Sequence, residues 1–177
     1  MSAFSDLRSR TGDLARAEQE RYAGDEERPL AGYLAAMGAY VAVTGTLALT
    51  ARLTRRQIPA GLSTGEVLLS AVATHKLSRL ITKDPVTSPL RAPFTRYQGQ
   101  SGPAELTEQV RGTGARKAIG ELLTCPFCID MWVATGLVAG FVFAPRATRL
   151  AADTLAVLAG ADLLQFGYAM IAEKEQS

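Results

Sequence analysis

Long uncharged stretches are the feature that most restricts how this chain can fold. Residues 31–51 contain no charged side chain, and residues 131–145 contain none either. At a helical rise of about 1.5 Å per residue, the first stretch alone covers about 30 Å, the thickness of the hydrocarbon core of a bilayer. Such stretches predict membrane-spanning α-helices.

The sequence predicts an all-α fold, a polytopic membrane helix bundle with four transmembrane helices. The four segments are residues 31–53, 63–82, 127–144 and 150–172. Ser63 and Glu66 form a capping-box pattern at the start of the second segment. Basic residues fill the far half of that segment, so the alternative is three spans plus an interfacial helix on the lipid surface.

Two polar regions accompany the helices. Residues 1–30 hold twelve charged side chains and predict a solvated, partly helical cytosolic tail, with an interfacial helix as the alternative. Residues 31–177 form the predicted helical membrane domain, which contains a proline-rich cytosolic loop at residues 84–114. Proline cannot continue a helix, so residues 84–94 are expected to be extended. Residues 105–111 are expected to form a short helix, and residues 116–123 an amphipathic turn or two.

Basic residues set the predicted orientation. With four spans and the amino terminus inside, cytosolic segments hold twelve Lys and Arg residues and outer segments five. The three-span alternative, with the amino terminus outside, keeps the loop at residues 84–114 in the cytosol as well. Arg outnumbers Lys fifteen to four, which is typical of a GC-rich bacterial genome. The predicted location is therefore the bacterial cytoplasmic membrane, with a multi-pass topology.

Composition excludes some functions. The net charge of +2 is too small to indicate a nucleic-acid partner. One His and two Cys exclude a four-ligand zinc site built from Cys and His of a single chain. The lipid bilayer is the first expected partner, no metal site within the chain is predicted, and any cofactor is unknown.

The sequence Cys125-Pro126-Phe127-Cys128 has the C-x-x-C spacing of glutaredoxin active sites. Pro126 suits the first position of a helix, which makes Cys125 the N-cap, where the helix dipole would stabilise a thiolate. The context departs from glutaredoxin because a membrane-spanning helix follows. Three interpretations stay open: two small residues that only pack, a redox pair in which both cysteines are catalytic, and a metal site shared between subunits.

Ionisable residues inside the predicted spans form a second group of candidate site residues. Counted from the midpoints of their segments, His75 and Asp162 lie at one depth, and Arg79 and Asp130 at another. Charged side chains in lipid pair with each other and face the bundle interior. The predicted pairs are therefore His75–Asp162 and Arg79–Asp130, which serve either as internal contacts that fix helix register or as a proton or ion relay.

Small residues repeat on the faces of three predicted spans. In the first span they are Ala35, Gly38, Ala42 and Gly45, and stripes around residues 136–144 and 152–160 follow the same spacing. Faces of this kind let another helix approach closely. They predict a homo-oligomer, or contact with another membrane protein.

Several segments together resemble one family of proteins. They are residues 74–84, the Pro-Leu-Arg-Ala-Pro-Phe segment that ends at Phe94, and residues 124–128 with Trp132. These segments look like the DUF1360 family of uncharacterised small bacterial integral membrane proteins, and the resemblance covers residues 62–168. It implies a membrane location and no activity. The predicted function is a structural or interaction module in the membrane; the alternatives are a thiol-disulfide oxidoreductase and the metal site shared between subunits.

Overall fold

The computed structural model describes residues 2–24 and 28–175. Seven α-helices, one 3-10 turn and one β-hairpin occur in this part of the chain. In chain order they are α1 (Ser2–Ala23), α2 (Leu30–Leu53), α3 (Thr64–Thr82), the 3-10 turn (Pro85–Thr87), α4 (Ser88–Arg91), β1 (Thr95–Gly102), β2 (Glu105–Val110), α5 (Gly114–Thr124), α6 (Pro126–Phe143) and α7 (Pro145–Glu175).

Three described helices, α2, α6 and α7, are long and apolar enough to cross a membrane. The predicted helix bundle is confirmed with three candidate membrane-spanning helices, not four, and the all-α prediction is corrected by the two-stranded hairpin of β1 and β2. The segment predicted as the second span is also helical, but α3 does not reach the same apolarity. The predicted capping box is present at its start, where Ser63 accepts a hydrogen bond from the Glu66 backbone and Glu66 accepts one in return.

Helix α3 packs between α6 and α7. Its buried face consists of small and hydroxyl-bearing residues, namely Ser70, Ala73, Thr74, Ser78 and Thr82. Small side chains let helix axes approach closely. The apolar core of the bundle forms at this contact, where Ala73 meets Ile129, Val133, Leu137 and Ala152.

Helices α6 and α7 form a tight helical hairpin. Only Ala144 separates them, and Pro145 occupies the first position of α7. A Cβ atom at Gly140 would lie 2.5 Å from the Thr148 hydroxyl, so the close crossing requires glycine there. Part of the predicted small-residue stripe of α6 therefore packs against α7 of the same chain.

Helix α2 packs against α5 and α6, and its side-chain contacts show that it runs in the same direction as α6. Near the start of α2, the Tyr33 hydroxyl donates a hydrogen bond to Glu121 at the end of α5. Two turns later, the Tyr40 hydroxyl lies 2.8 Å from the Thr135 hydroxyl, and its ring meets Trp132 edge to face. As α2 advances, its partners advance along the chain, which defines the parallel arrangement.

The proline-rich loop is more ordered than the sequence predicted. Residues 85–91 form the 3-10 turn and α4 instead of an extended segment, because Asp84 caps the turn through the Val86 amide. The predicted short helix at residues 105–111 is wrong, since β2 occupies this position and pairs antiparallel with β1. A two-residue turn joins the strands, with Pro103 first and Ala104 in the left-handed region at φ 57°. Proline followed by a positive φ is the pattern of a type II turn.

Candidate functional site

A folded cap covers the end of the bundle where α2 and α6 begin and α3 ends. We define the cap as residues 83–124, and its centre is Arg91, whose side chain is completely buried. Arg91 Nε lies 2.5 Å from a carboxylate oxygen of Glu108, which is 6% exposed. The guanidinium also donates to the Ile81 carbonyl at 2.7 Å, to the Thr87 hydroxyl at 2.7 Å and to the Asp84 carbonyl at 3.0 Å.

Arg91 therefore closes the carboxyl end of α3. The last carbonyl groups of a helix have no partners within the helix, and a buried end without partners would be unstable. One side chain joins that end to the 3-10 turn and, through Glu108, to β2. The planar guanidinium suits this role because its five N–H donors point in fixed directions.

Further hydrogen bonds hold the cap together. The Leu106 amide donates to the Lys83 carbonyl at 2.9 Å, which ties β2 to the residue that follows α3. Arg111 and Arg116 donate to the carbonyls of Ala92 and Pro93, respectively. The cap is thus one ordered unit, and residues 83–117 carry six basic and three acidic side chains.

Two of the four predicted intramembrane residues have partners other than those predicted. Asp162 pairs with Lys76, not His75, at 2.5 Å. Arg79 pairs with Glu105 at the start of β2, not with Asp130. Depth along the helix was a poor guide because adjacent residues differ by about 100° in direction around the axis, so Lys76 faces α7 and His75 does not.

Asp130 and His75 line a cleft between α3 and α6. The cleft has a volume of about 450 Å³, and its polar residues are Ser70, Thr74, His75 and Asp130. Within the described part of the chain, Ser70 Oγ and Asp130 Oδ1 are buried and have no hydrogen-bond partner. The structure thus brings two of the four predicted residues together, in a cleft and not as members of the predicted ion pairs.

The two cysteines are joined in a disulfide, with their Cα atoms 5.3 Å apart. As predicted, Cys125 is the N-cap of α6 and Pro126 is its first residue; the Cys125 sulfur accepts a hydrogen bond from the Cys128 amide at 3.2 Å. Among the described residues, no group of three or more His, Cys, Asp or Glu side chains could hold a metal ion. The metal site shared between subunits stays a prediction.

Sequence reasoning missed Arg91, Glu108, Lys76 and Ser70. Two of them left a signal. Ser70 begins a series of hydroxyl residues at four-residue intervals that ends at Thr82, which marks one face of α3. Glu108 belongs to a segment in which Leu106 and Val110 alternate with polar residues, the period of a strand. The burial of Arg91 left no local signal, because its partners come from three different segments.

Comparisons with known proteins agree on one family. The family described as "Protein of unknown function (DUF1360)" matches residues 68–168, more than half of the chain. The chain is also similar to "Sporulation protein YjcA" of Bacillus subtilis (strain 168), with 30% identity over 102 residues, 56% of this chain and 86% of that protein. No solved structure matches the chain. The family description and the relative's name give no support to a thiol oxidoreductase. The match covers most of α3, the cap, α6 and most of α7, and the chain therefore belongs to the DUF1360 family.

Proposed function

We propose that the chain is a multi-pass interaction module of the bacterial cytoplasmic membrane, with four membrane crossings and a face on α2 that binds a second copy. The observation that carries this proposal is the position of α2. It contacts the bundle along one face and leaves its small-residue face uncovered. The proposal has two parts, topology and self-association, which separate experiments test.

The direction of α2 favours four crossings. In the three-span alternative, α2 would end in the cytosol and α6 would begin there, so the two helices would run antiparallel. The contacts of Tyr33 and Tyr40 instead make α2 parallel to α6. A parallel pair requires one more crossing between them, and α3 is the helix available for it.

Helix α3 is suited to cross as an internal helix despite its polar residues. Its 19 residues cover about 28 Å, close to the hydrocarbon thickness. Lys76 pairs with Asp162, and Arg79 pairs with Glu105, so two of its charges are neutralised by neighbours. Charged residues in membrane helices are tolerated in such pairs.

Reporter fusions test the topology. Alkaline phosphatase, which is active only outside the cytosol, is fused after Ile58 in the α2–α3 connection. Four spans with a cytosolic cap place residue 58 outside and give an active fusion, whereas the three-span alternative gives an inactive one. A fusion after Gly112 in the cap is the control and should be inactive in both cases. An inactive Ile58 fusion, with the protein expressed at normal levels, would refute the fourth crossing.

The uncovered face of α2 favours self-association. The half-buried or buried residues of α2, such as Tyr33, Tyr40 and Ala51, lie on one side of the helix. The predicted small residues, Ala35, Gly38, Ala42 and Gly45, are all exposed and lie on the opposite side by helical rotation. A Cβ added at Gly38 or Gly45 would meet nothing within 4 Å. Because small residues allow close helix contact in lipid, this face fits a second copy of α2.

Self-association is measured by single-molecule photobleaching of labelled protein diluted in liposomes. The wild type should form dimers, and Gly38→Leu with Gly45→Leu should be monomeric because the added side chains separate the helix axes. Gly160→Leu is the matched control, since Gly160 is also open but lies on α7. A monomeric wild type, or a dimer that survives both α2 substitutions, would refute a homodimer through this face.

A further inference from the structure

The cleft between α3 and α6 contains groups that are costly to bury without a partner. Ser70 is only 9% exposed, and its Oγ atom has no hydrogen-bond partner among the described residues. Asp130 Oδ1 is also buried without a hydrogen-bond partner among the described residues, and both residues line the cleft. Nearly all buried polar groups in proteins are hydrogen-bonded, so orphaned oxygens on two residues that line one cleft make it a candidate site for a ligand that donates hydrogen bonds.

The charge of the cleft favours a cation. Among the described residues that line it, Asp130 is the only acidic one. The basic side chains nearest in sequence to His75 are engaged elsewhere, Lys76 with Asp162 and Arg79 with Glu105. A carboxylate in a membrane span needs a positive partner, and an ammonium group supplies a charge and three donors at once.

The rest of the cleft lining suits a ligand that also has an apolar chain. Most of the remaining lining is aliphatic and includes Val67, Ala134 and Val138. Asp130 lies four residues after the start of α6, about 6 Å into the helix, and Val138 lies about 12 Å farther along. The polar end is therefore near the cap side of the membrane, and the apolar end is toward its middle. An amphiphile in the leaflet on the cap side is oriented in the same way, with its head near the cap and its chain toward the middle of the membrane.

We infer that the α3–α6 cleft binds an amphiphile that has a primary ammonium head and an alkyl chain. The head pairs with the carboxylate of Asp130, and Ser70 contributes a polar side chain to the same lining. The chain follows the aliphatic lining parallel to α6. This inference does not depend on self-association through α2, because no residue of α2 lines the cleft.

The test measures stabilisation of the full chain in phosphatidylcholine nanodiscs by three twelve-carbon probes: dodecylammonium, dodecanol and dodecanoate. Dodecylammonium should raise the thermal midpoint at concentrations at least about tenfold lower than the other two, which corresponds to about 1.4 kcal/mol. Asp130→Asn should remove this preference. Asp153→Asn is the matched control, because Asp153 is an exposed carboxylate on α7 outside the cleft, and it should keep the preference.

A second variant protects the test against misfolding. Ser70→Ala keeps the carboxylate and makes the lining less polar, so it should weaken dodecylammonium binding less than Asp130→Asn does, while leaving the secondary structure unchanged. Equal stabilisation by all three probes, or an unchanged preference in both Asp130→Asn and Ser70→Ala, would overturn the inference.

Nanodiscs made with phosphatidylethanolamine identify the source of the ammonium group. If the lipid itself occupies the cleft, added dodecylammonium should no longer stabilise the wild type. If a free amine is the ligand, the effect should persist. Both results support an ammonium site.

Discussion

Replacement of Arg91 with methionine is the sharpest test of how the cap is held on the bundle. The substitution keeps much of the side-chain volume and removes the charge and all the donors. Glu108, only 6% exposed, would then keep a buried carboxylate without its cation. The carbonyls of Ile81 and Asp84 would lose a donor as well.

The expected loss follows from the burial of both partners. Removing one member of a buried ion pair costs about 3–5 kcal/mol, because the remaining charge stays desolvated. At about 1.4 kcal/mol per factor of ten, the opening equilibrium of the cap should rise by about two to four powers of ten. Replacing both Arg91 and Glu108 with methionine should recover most of this loss, since an apolar pair of similar volume leaves no uncompensated charge.

Amide hydrogen exchange of the purified protein measures the effect. The informative site is the Leu106 amide, which bonds the Lys83 carbonyl at 2.9 Å and is released only when the cap opens. Arg96→Met, at an exposed position of β1, is the control and should leave the exchange rate nearly unchanged. If Arg91→Met accelerates exchange by less than about tenfold, or if the double variant exchanges as fast as the single one, the pair does not hold the cap.

Three further predictions use the thermal midpoint in detergent. Gly120→Ala places a methyl group 2.6 Å from a valine side chain of β2, so it should reduce the free energy of unfolding by about 1–3 kcal/mol and lower the midpoint. The control is Gly65→Ala, whose methyl group meets nothing within 4 Å and should not lower the midpoint. Lys76→Met should reduce the free energy of unfolding by about 1–2 kcal/mol, because it leaves Asp162 unpaired. Exchanging the two residues, Lys76→Asp with Asp162→Lys, should restore part of this stability, and no recovery would refute the ion pair. Ala104→Gly should raise the free energy of unfolding by about 1 kcal/mol, and with it the midpoint, because Ala104 has a left-handed backbone conformation. An unchanged midpoint would show that the turn is unstrained.

Local signals in the sequence predicted the helices well. The capping box at Ser63 and Glu66 marks the start of α3, and Cys125 with Pro126 marks the start of α6. These signals are local because a helix end is closed by residues within one turn of it. The long uncharged stretches likewise predicted the positions of α2 and α6, since length and apolarity are properties of the segment alone.

Contacts between distant segments could not be predicted in the same way. Asp162 was expected beside His75, because depth follows from residue number, but rotation of α3 against α7 turns Lys76 toward it. The pairing of Arg79 with Glu105 depends on the hairpin folding back over the end of α3. The same fold-back buries Arg91, and an arginine in a proline-rich loop otherwise suggests an exposed residue.

The sequence spacing of the Arg91 contacts has a consequence for biosynthesis. Its side-chain hydrogen-bond partners among the described residues lie between Ile81 and Glu108, so the contacts span few residues. Chains grow at about 5–20 residues per second and close short-range contacts soon after the residues emerge. The Arg91 contacts can therefore form before α6 and α7 have emerged from the ribosome, and the last helical hairpin would then pack against a cap end of α3 that is already folded.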